Sequence, residues 1–313
     1  MSVRHEPVLL AETLGFLSPR SGLFLDATLG DGGHAEALLA ADPKVRLLAN
    51  DRDLDALAGA RVRLERFGDR VTFAHGTFRQ LPAAHAALGA ERFAGALFDL
   101  GVSSRQIDDP ARGMSYLHAG PLDLRMDAAR GTTLGERLAG TTETELEGVL
   151  RGFGDVGPAR SLARAILAAA REGTLTDTRA LATLVRRVLR DPRPGAAAPV
   201  FQALRIWVND EMADLESALE WLPEAMADGG VVVTLSYHSG EDRRVKQSLR
   251  GAPVEGGSQR SWVRRLPPVV AAATRSLPWQ ELTKKVVVPA ESEQRSNPRA
   301  RSARLRAFRR KPR

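Results

Sequence analysis

Four short apolar runs, at 23–27, 45–50, 71–75 and 94–99, constrain this chain most. Each reads as a buried strand, and helical spacing follows the first three, at 35–41, about 54–67 and about 79–88. Strands that alternate with helices in this way form a parallel α/β sheet. An amphipathic helix at 8–17, closed by Ser18-Pro19, precedes them. After 106 the alternation stops. Helices are expected at 134–139, 143–151, 158–171, 177–190 and 199–226, with Thr141 and Thr176-Asp177 as start signals and Pro192 and Pro194 as breaks. Gly229-Gly230 then leads into a fifth strand at 231–236 and a helix to about 249. Residues 251–260 read as a loop, and two last strands are expected at 284–289 and 302–308. The fold class is therefore α/β: a Rossmann-like sheet domain from 1–106 and 197–313, with an all-helical domain at 107–196 inserted for substrate recognition.

In such sheets ligands sit at the carboxyl ends of the strands. The first strand runs into Asp26-Ala-Thr-Leu-Gly-Asp-Gly-Gly-His34. Strand, glycine turn and helix together present backbone N–H groups to a ligand. Glycine suits the turn because it accepts φ > 0 and has no Cβ to hold a ligand away. Gly30 to Ala35 fits G-x-G-x-x-A, and Asp51 stands about twenty residues on, where an acid meets a ribose. The same features serve dinucleotides and S-adenosylmethionine. Asp26 favours the second, since an acid there repels a pyrophosphate and faces the cationic amino end of methionine. Asp99 closes the fourth strand ahead of a loop of small residues, which suits a close approach between a methyl group and its acceptor.

The chain has no cysteine. That excludes disulfides, thiolate metal sites and iron–sulfur clusters. It also excludes a cysteine nucleophile, and with it the covalent route to methylation of a cytosine ring carbon. His34 has no partners at metal-ligand spacing, and no metal is expected. No apolar run reaches the roughly 20 residues of a membrane span, and the first residues lack the apolar core of a secretory signal. No membrane partner and a cytoplasmic location are expected. Net charge is +7, but residues 295–313 hold nine Arg or Lys and no acid, leaving 36 basic and 38 acidic groups elsewhere. This reads as a basic arm suited to nucleic-acid phosphates.

The motifs taken together resemble the ribosomal RNA small-subunit (cytosine-N4)-methyltransferases, the MraW or RsmH type. The resemblance is carried by His5-Glu-Pro-Val-Leu-Leu10, Asp26 to His34, Asp51-Arg-Asp53, Asp99-Leu-Gly-Val-Ser-Ser-Arg-Gln106 and Gly113-Met-Ser. It continues through Pro121 to Asp127, Arg205-Ile-Trp-Val-Asn-Asp-Glu211, Ser236 to Arg243, Leu282-Thr-Lys-Lys285 and Asn297 to Arg306. Small departures are Tyr237 where relatives often have Phe, Arg105 where they often have Pro, and Leu124 where they often have Met.

The resemblance implies a class I S-adenosylmethionine-dependent methyltransferase sheet. It implies methylation of the exocyclic N4 of a cytidine in the decoding region of 16S rRNA, within the assembled 30S subunit. A homodimer is left open. Gly32, Gly33, His34, Asp51, Phe78, Asp99 and Gln106 match the family's cofactor positions, and Asp26 joins them on the charge argument above. Gly32 and Gly33 would admit the methionine portion, Asp51 the ribose and Phe78 the adenine. Candidates for orienting or deprotonating the amine are Asp99 or a nearby backbone carbonyl, Ser103 with Ser104, and His238; Tyr237, His238 and Asp242 are candidates for lining the base pocket. Asp123, Arg125, Arg186, Arg187, Arg190 and Arg193 are candidates for RNA contact. Two other readings compete: a nicotinamide-dependent oxidoreductase using the glycine turn, and a non-enzymatic RNA-binding protein using the tail.

Overall fold

The apolar runs at 23–27, 45–50 and 94–99 become strands buried on both faces, as a parallel sheet covered by helices on either side requires, while the run at 71–75 becomes a partly exposed edge strand. In the computed structural model, which describes residues 7–18, 20–250 and 277–313, β1 (Gly22–Asp26), β2 (Val45–Asp51), β3 (Val71–His75), β4 (Phe93–Asp99) and β5 (Met226–Ser236) pair in parallel. With β6 (Trp279–Glu281) and β7 (Arg304–Arg310) they form one sheet in the order β3-β2-β1-β4-β5-β7-β6, with β7 antiparallel to both its neighbours. The strand order reverses at β1, which lies between β2 and β4. The crevice beyond its carboxyl end is where such sheets bind ligands.

Alternation along the strands divides the core between the two faces. Phe24, Leu47, Ala49, Leu97, Val233 and Leu235 pack with α1 (Leu10–Leu17), α2 (Gly33–Ala41) and α3 (Leu54–Leu64). Leu23, Leu25, Leu48, Ala96, Phe98 and Val232 pack with α4 (Leu81–Ala87) and with the Leu215, Leu219 and Leu222 face of α11 (Glu211–Ala225). The expected loop at 251–260 lies outside the described residues, as do His5, Glu6 and Pro19. Among the described residues no helix is long and apolar enough to cross a membrane.

The chain divides into two compact units, Met1–Gly101 with Ala213–Arg313, and Val102–Met212. The second has its own core, built from α6 (Leu134–Ala139), α7 (Glu143–Gly154), α8 (Ala159–Arg171), α9 (Thr178–Leu189) and α10 (Ala198–Asn209). It also holds the short α5 (Ser104–Asp108), which sequence spacing alone does not reveal. On α8 and α9 the apolar stripe (Leu162, Ile166, Leu181, Val185) is fully buried, as amphipathic spacing dictates.

Three local expectations are corrected. The single helix at 199–226 is two helices: Asp210 adopts the left-handed conformation (φ 52°), which Asp tolerates better than most residues, and ends α10. Thr142, not Thr141, caps α7, accepting from Glu145 N–H, while the Thr141 hydroxyl donates to the Arg137 carbonyl. The 284–289 segment contributes only a bridge between Val287 and Leu305, and the edge strand forms at Trp279–Glu281 instead. The basic tail is also built into the fold. Leu305, Ala307 and Phe308 of β7 are fully buried, and Arg306 is tied to Asp242 at 2.6 Å and Glu281 at 3.3 Å.

Candidate functional site

Register brings three carboxylates together. Asp26 pairs with Ala49 of β2 and Leu97 of β4, so Asp51 and Asp99 stand two residues further along the strands on either side. A step of two returns to the same face, and all three acids therefore sit on one face at the carboxyl edge of the sheet.

The glycine turn is laid across these strand ends by hydrogen bonds. Leu29 N–H donates to the Asn50 carbonyl (2.9 Å), Gly30 N–H to Asp51 Oδ2 (2.7 Å), and Asp99 N–H to Thr28 Oγ1 (2.6 Å). Gly30 and Gly32 have φ of 52° and 76°, the left-handed region that favours glycine. Gly33 is required for a different reason: a Cβ there would lie 2.4 Å from the Pro7 ring. Its missing side chain makes room for the N-terminal segment.

Asp26 is 3 % exposed, and its one hydrogen bond among the described residues comes from Thr28 N–H at 3.1 Å. Burial pushes its carboxyl up to about 8 despite that bond, and Asp99 and Asp51 add to the effect. A buried carboxyl this poorly answered fits a ligand with a cation at that point. Asp51 Oδ1 accepts from Asp53 N–H (2.8 Å) while Oδ2 holds Gly30, and burial again raises its pKa. The three acids and the N–H-bearing turn suit a ligand that presents an amine and hydroxyls. They do not suit a pyrophosphate.

His34, the second residue of α2, is buried. Burial lowers its ring to about 4, outweighing the bond to Val8, so the imidazole is neutral at ordinary pH. Because a carbonyl only accepts, Nε2 carries the proton and donates to Val8 O (3.1 Å). Nδ1 therefore presents a lone pair 3.8 Å from Asp99 Oδ2. Tyr237 Oη donates to Asp99 Oδ1 at 2.8 Å, and burial and the nearby Asp99 push this phenol well above its ordinary range. Tyr237 thus reaches the strand-end cluster through its hydroxyl, the atom that distinguishes it from Phe.

Phe78 opens a short turn after β3, and its ring meets Phe98 edge-on with centroids 5.5 Å apart. The turn is fixed by a residue that sequence reading missed. Both oxygens of the buried Asp214 carboxylate accept from it, Oδ2 from Phe78 N–H at 2.9 Å and Oδ1 from Arg79 N–H at 3.0 Å. Asn50, also missed, spans the crevice wall by donating to the carbonyls of Ala27 and Gly76, both at 3.1 Å. Nothing in the local pattern marks either residue, because each acts on a segment far away in the chain.

The remaining predicted residues have local duties. Ser103 and Gln106, in the second unit, form the capping box of α5: Ser103 Oγ accepts from Gln106 N–H (3.2 Å) and Gln106 Oε1 accepts from Ser103 N–H (3.1 Å). His238 caps α12 (Ser239–Val245), Nδ1 accepting from Gly240 and Glu241 N–H at 3.2 and 3.4 Å. Asp242 faces Arg306, with Lys246 beside it; burial alone would raise its carboxyl, but these cations hold it below the usual range. Asp123 and Arg125 form a two-pronged pair at 2.6 and 2.8 Å.

Residues 2–311 match the family model described as the MraW methylase family. The chain is 44 % identical over 311 residues to the ribosomal RNA small subunit methyltransferase H of Sorangium cellulosum, covering 98 % of this chain and 91 % of that one. Identity to the proteins of the same name from Frankia alni and Bradyrhizobium diazoefficiens is 43 % and 42 %, over 97 % and 98 % of this chain and 94 % and 91 % of theirs. The chain belongs to the MraW methylase family.

Proposed function

We propose that the protein transfers a methyl group to the exocyclic N4 of a cytidine in the decoding region of 16S rRNA, acting in the cytoplasm on the assembled 30S subunit. The observation that carries the reading is the Asp26–Asp51–Asp99 cluster under the glycine turn, with Asp26 buried and answered, among the described residues, by a single N–H. An rRNA substrate is supported by the relatives, which are named as small-subunit rRNA methyltransferases.

S-adenosylmethionine supplies an electrophilic methyl group on a sulfonium. Asp26, ionised, would hold its ammonium group, Asp51 would accept from its ribose hydroxyls, and Phe78 would stack on its adenine. Gly32, Gly33, His34 and Gln106 complete the set by resemblance. Catalysis by these residues is mainly alignment, which supplies on the order of 7–11 kcal/mol of a barrier. Asp99, fixed by Tyr237 and Thr28, is the acceptor we assign to the N4 hydrogens. It turns the nitrogen lone pair towards the methyl group and takes the proton released when the N–C bond forms. Ser103 and His238 then shape their loops rather than touch the amine. The cytidine must leave its stack to reach the pocket.

Asp99→Ala separates this reading from a non-enzymatic RNA-binding role. Methyl transfer from labelled S-adenosylmethionine to 30S particles should fall by at least a hundredfold, with rRNA affinity within about twofold of wild type. Transfer that survives the substitution would remove Asp99 from catalysis, and a wild type that labels neither 30S particles nor free 16S rRNA would remove the function.

A further inference from the structure

α9 differs from the helices around it in how its charges are matched. On α8, Arg160 and Arg164 both reach Glu143 (3.2 Å each), and on α7 Arg151 reaches Glu147 (2.5 Å). On α9 the outward residues are Arg179, Thr183, Arg186, Arg187 and, at its C-terminal cap, Arg190, with no acid between Thr178 and Arg190. Arg179, Arg187 and Arg190 are exposed and make no side-chain hydrogen bond or ion pair among the described residues, while Arg186 reaches only the Thr183 hydroxyl.

Helix electrostatics does not explain the whole set. Cations in the last turn answer the negative end of the helix, which accounts for Arg186, Arg187 and Arg190. Arg179 lies in the first turn, where the same dipole disfavours it. Arg190 takes the left-handed cap conformation (φ 53°) that glycine fills at least cost, and there it keeps a long cationic side chain on the ridge. Nearby Arg193 is already paired with Asp191 at 2.6 Å and is not part of it.

We propose that this ridge on α9 is the surface of the helical unit that grips the phosphodiester backbone of the RNA substrate. The inference rests on the rRNA reading above and extends it by assigning the contact. At 1.5 Å per residue the ridge runs about 16 Å from Arg179 to Arg190, long enough to follow several consecutive phosphates. It offers forked guanidinium donors that match phosphate oxygens. Contacts to phosphate carry no sequence information, so the ridge positions the RNA and leaves sequence selection to the pocket.

The test is the salt dependence of rRNA binding for the triple variant Arg179→Gln, Arg187→Gln, Arg190→Gln. Arg160→Gln with Arg164→Gln on α8 serves as the charge control, and the triple Lys variant as the charge-preserving one. Removing three contacts at about 0.7 per phosphate for single strands should flatten the slope of log affinity against log salt by about two. The Lys variant should keep the slope, the α8 control should change it by less than half as much, and S-adenosylhomocysteine affinity and Tm should stay at wild-type values. An unchanged slope in the triple Gln variant, or an equal loss in the α8 control, overturns the ridge alone. A wild type that binds no rRNA overturns the rRNA reading and the ridge with it.

Discussion

Asp26 shows how one residue reports on a ligand. A carboxyl with a pKa near 8 keeps its proton in the folded protein, whereas the unfolded chain releases it near 3.8. Between those values the folded state binds more protons, so ligand-free stability falls as pH rises from about 4 to about 8. The loss is on the order of several kcal/mol. Urea unfolding at pH 5 and pH 8 should show this decline, and Asp26→Asn should flatten it. A variant with the wild-type slope would acquit Asp26. Cofactor binding runs the other way. If the ionised carboxylate holds an ammonium, S-adenosylhomocysteine should bind more tightly with each pH unit up to about 8, releasing a proton as it binds. In Asp26→Asn, affinity should drop at least tenfold at pH 8 and lose that pH dependence; calorimetry in buffers of different ionisation enthalpy reads both.

Two elements act at a distance from the residues that first point to the site. α11 carries Asp214, whose carboxylate holds the backbone of the Phe78 turn. Asp214→Ala leaves two N–H groups without their acceptor, at a cost of about 1–3 kcal/mol for each one that stays buried. Asp214→Asn keeps the shape and one acceptor. Both should weaken binding of S-adenosylhomocysteine and of 5′-methylthioadenosine, which lacks the amino-acid end, by the same factor. Equal affinity to wild type would reduce Asp214 to a fold residue. β7 is the second element. It lies between β5 and β6 and buries Leu305, Ala307 and Phe308. Truncation after Gln294 should therefore unfold the sheet, seen as loss of a cooperative thermal transition. A truncated chain with wild-type Tm and weaker RNA binding would restore the free basic arm that composition suggested.

At the scale of the whole molecule, legibility followed distance along the chain. The strands, the glycine turn, Asp26, Asp51 and Asp99 were legible because apolar runs end on acids within a few residues. The helices of the second unit were legible by period. Asn50, Asp214 and the Tyr237–Asp99 bond were not, since each joins segments that only the folded sheet brings together. The basic tail was half legible. Its charge count suggested an arm, whereas the strand expected at 302–308 forms as β7 and is largely buried in the sheet. The packing of Pro7 against Gly33 was also hidden, because the two lie on segments that only the fold brings together.

The atom that receives the methyl group decides the function. Labelled S-adenosylmethionine, 30S particles and the protein, followed by nuclease digestion and mass spectrometry of the nucleosides, read it directly. The label is predicted in N4-methylcytidine from the decoding region of 16S rRNA and absent with Asp99→Ala. Label on a ribose oxygen or on another base, with cytidine N4 unmodified, would rule out N4 as the acceptor.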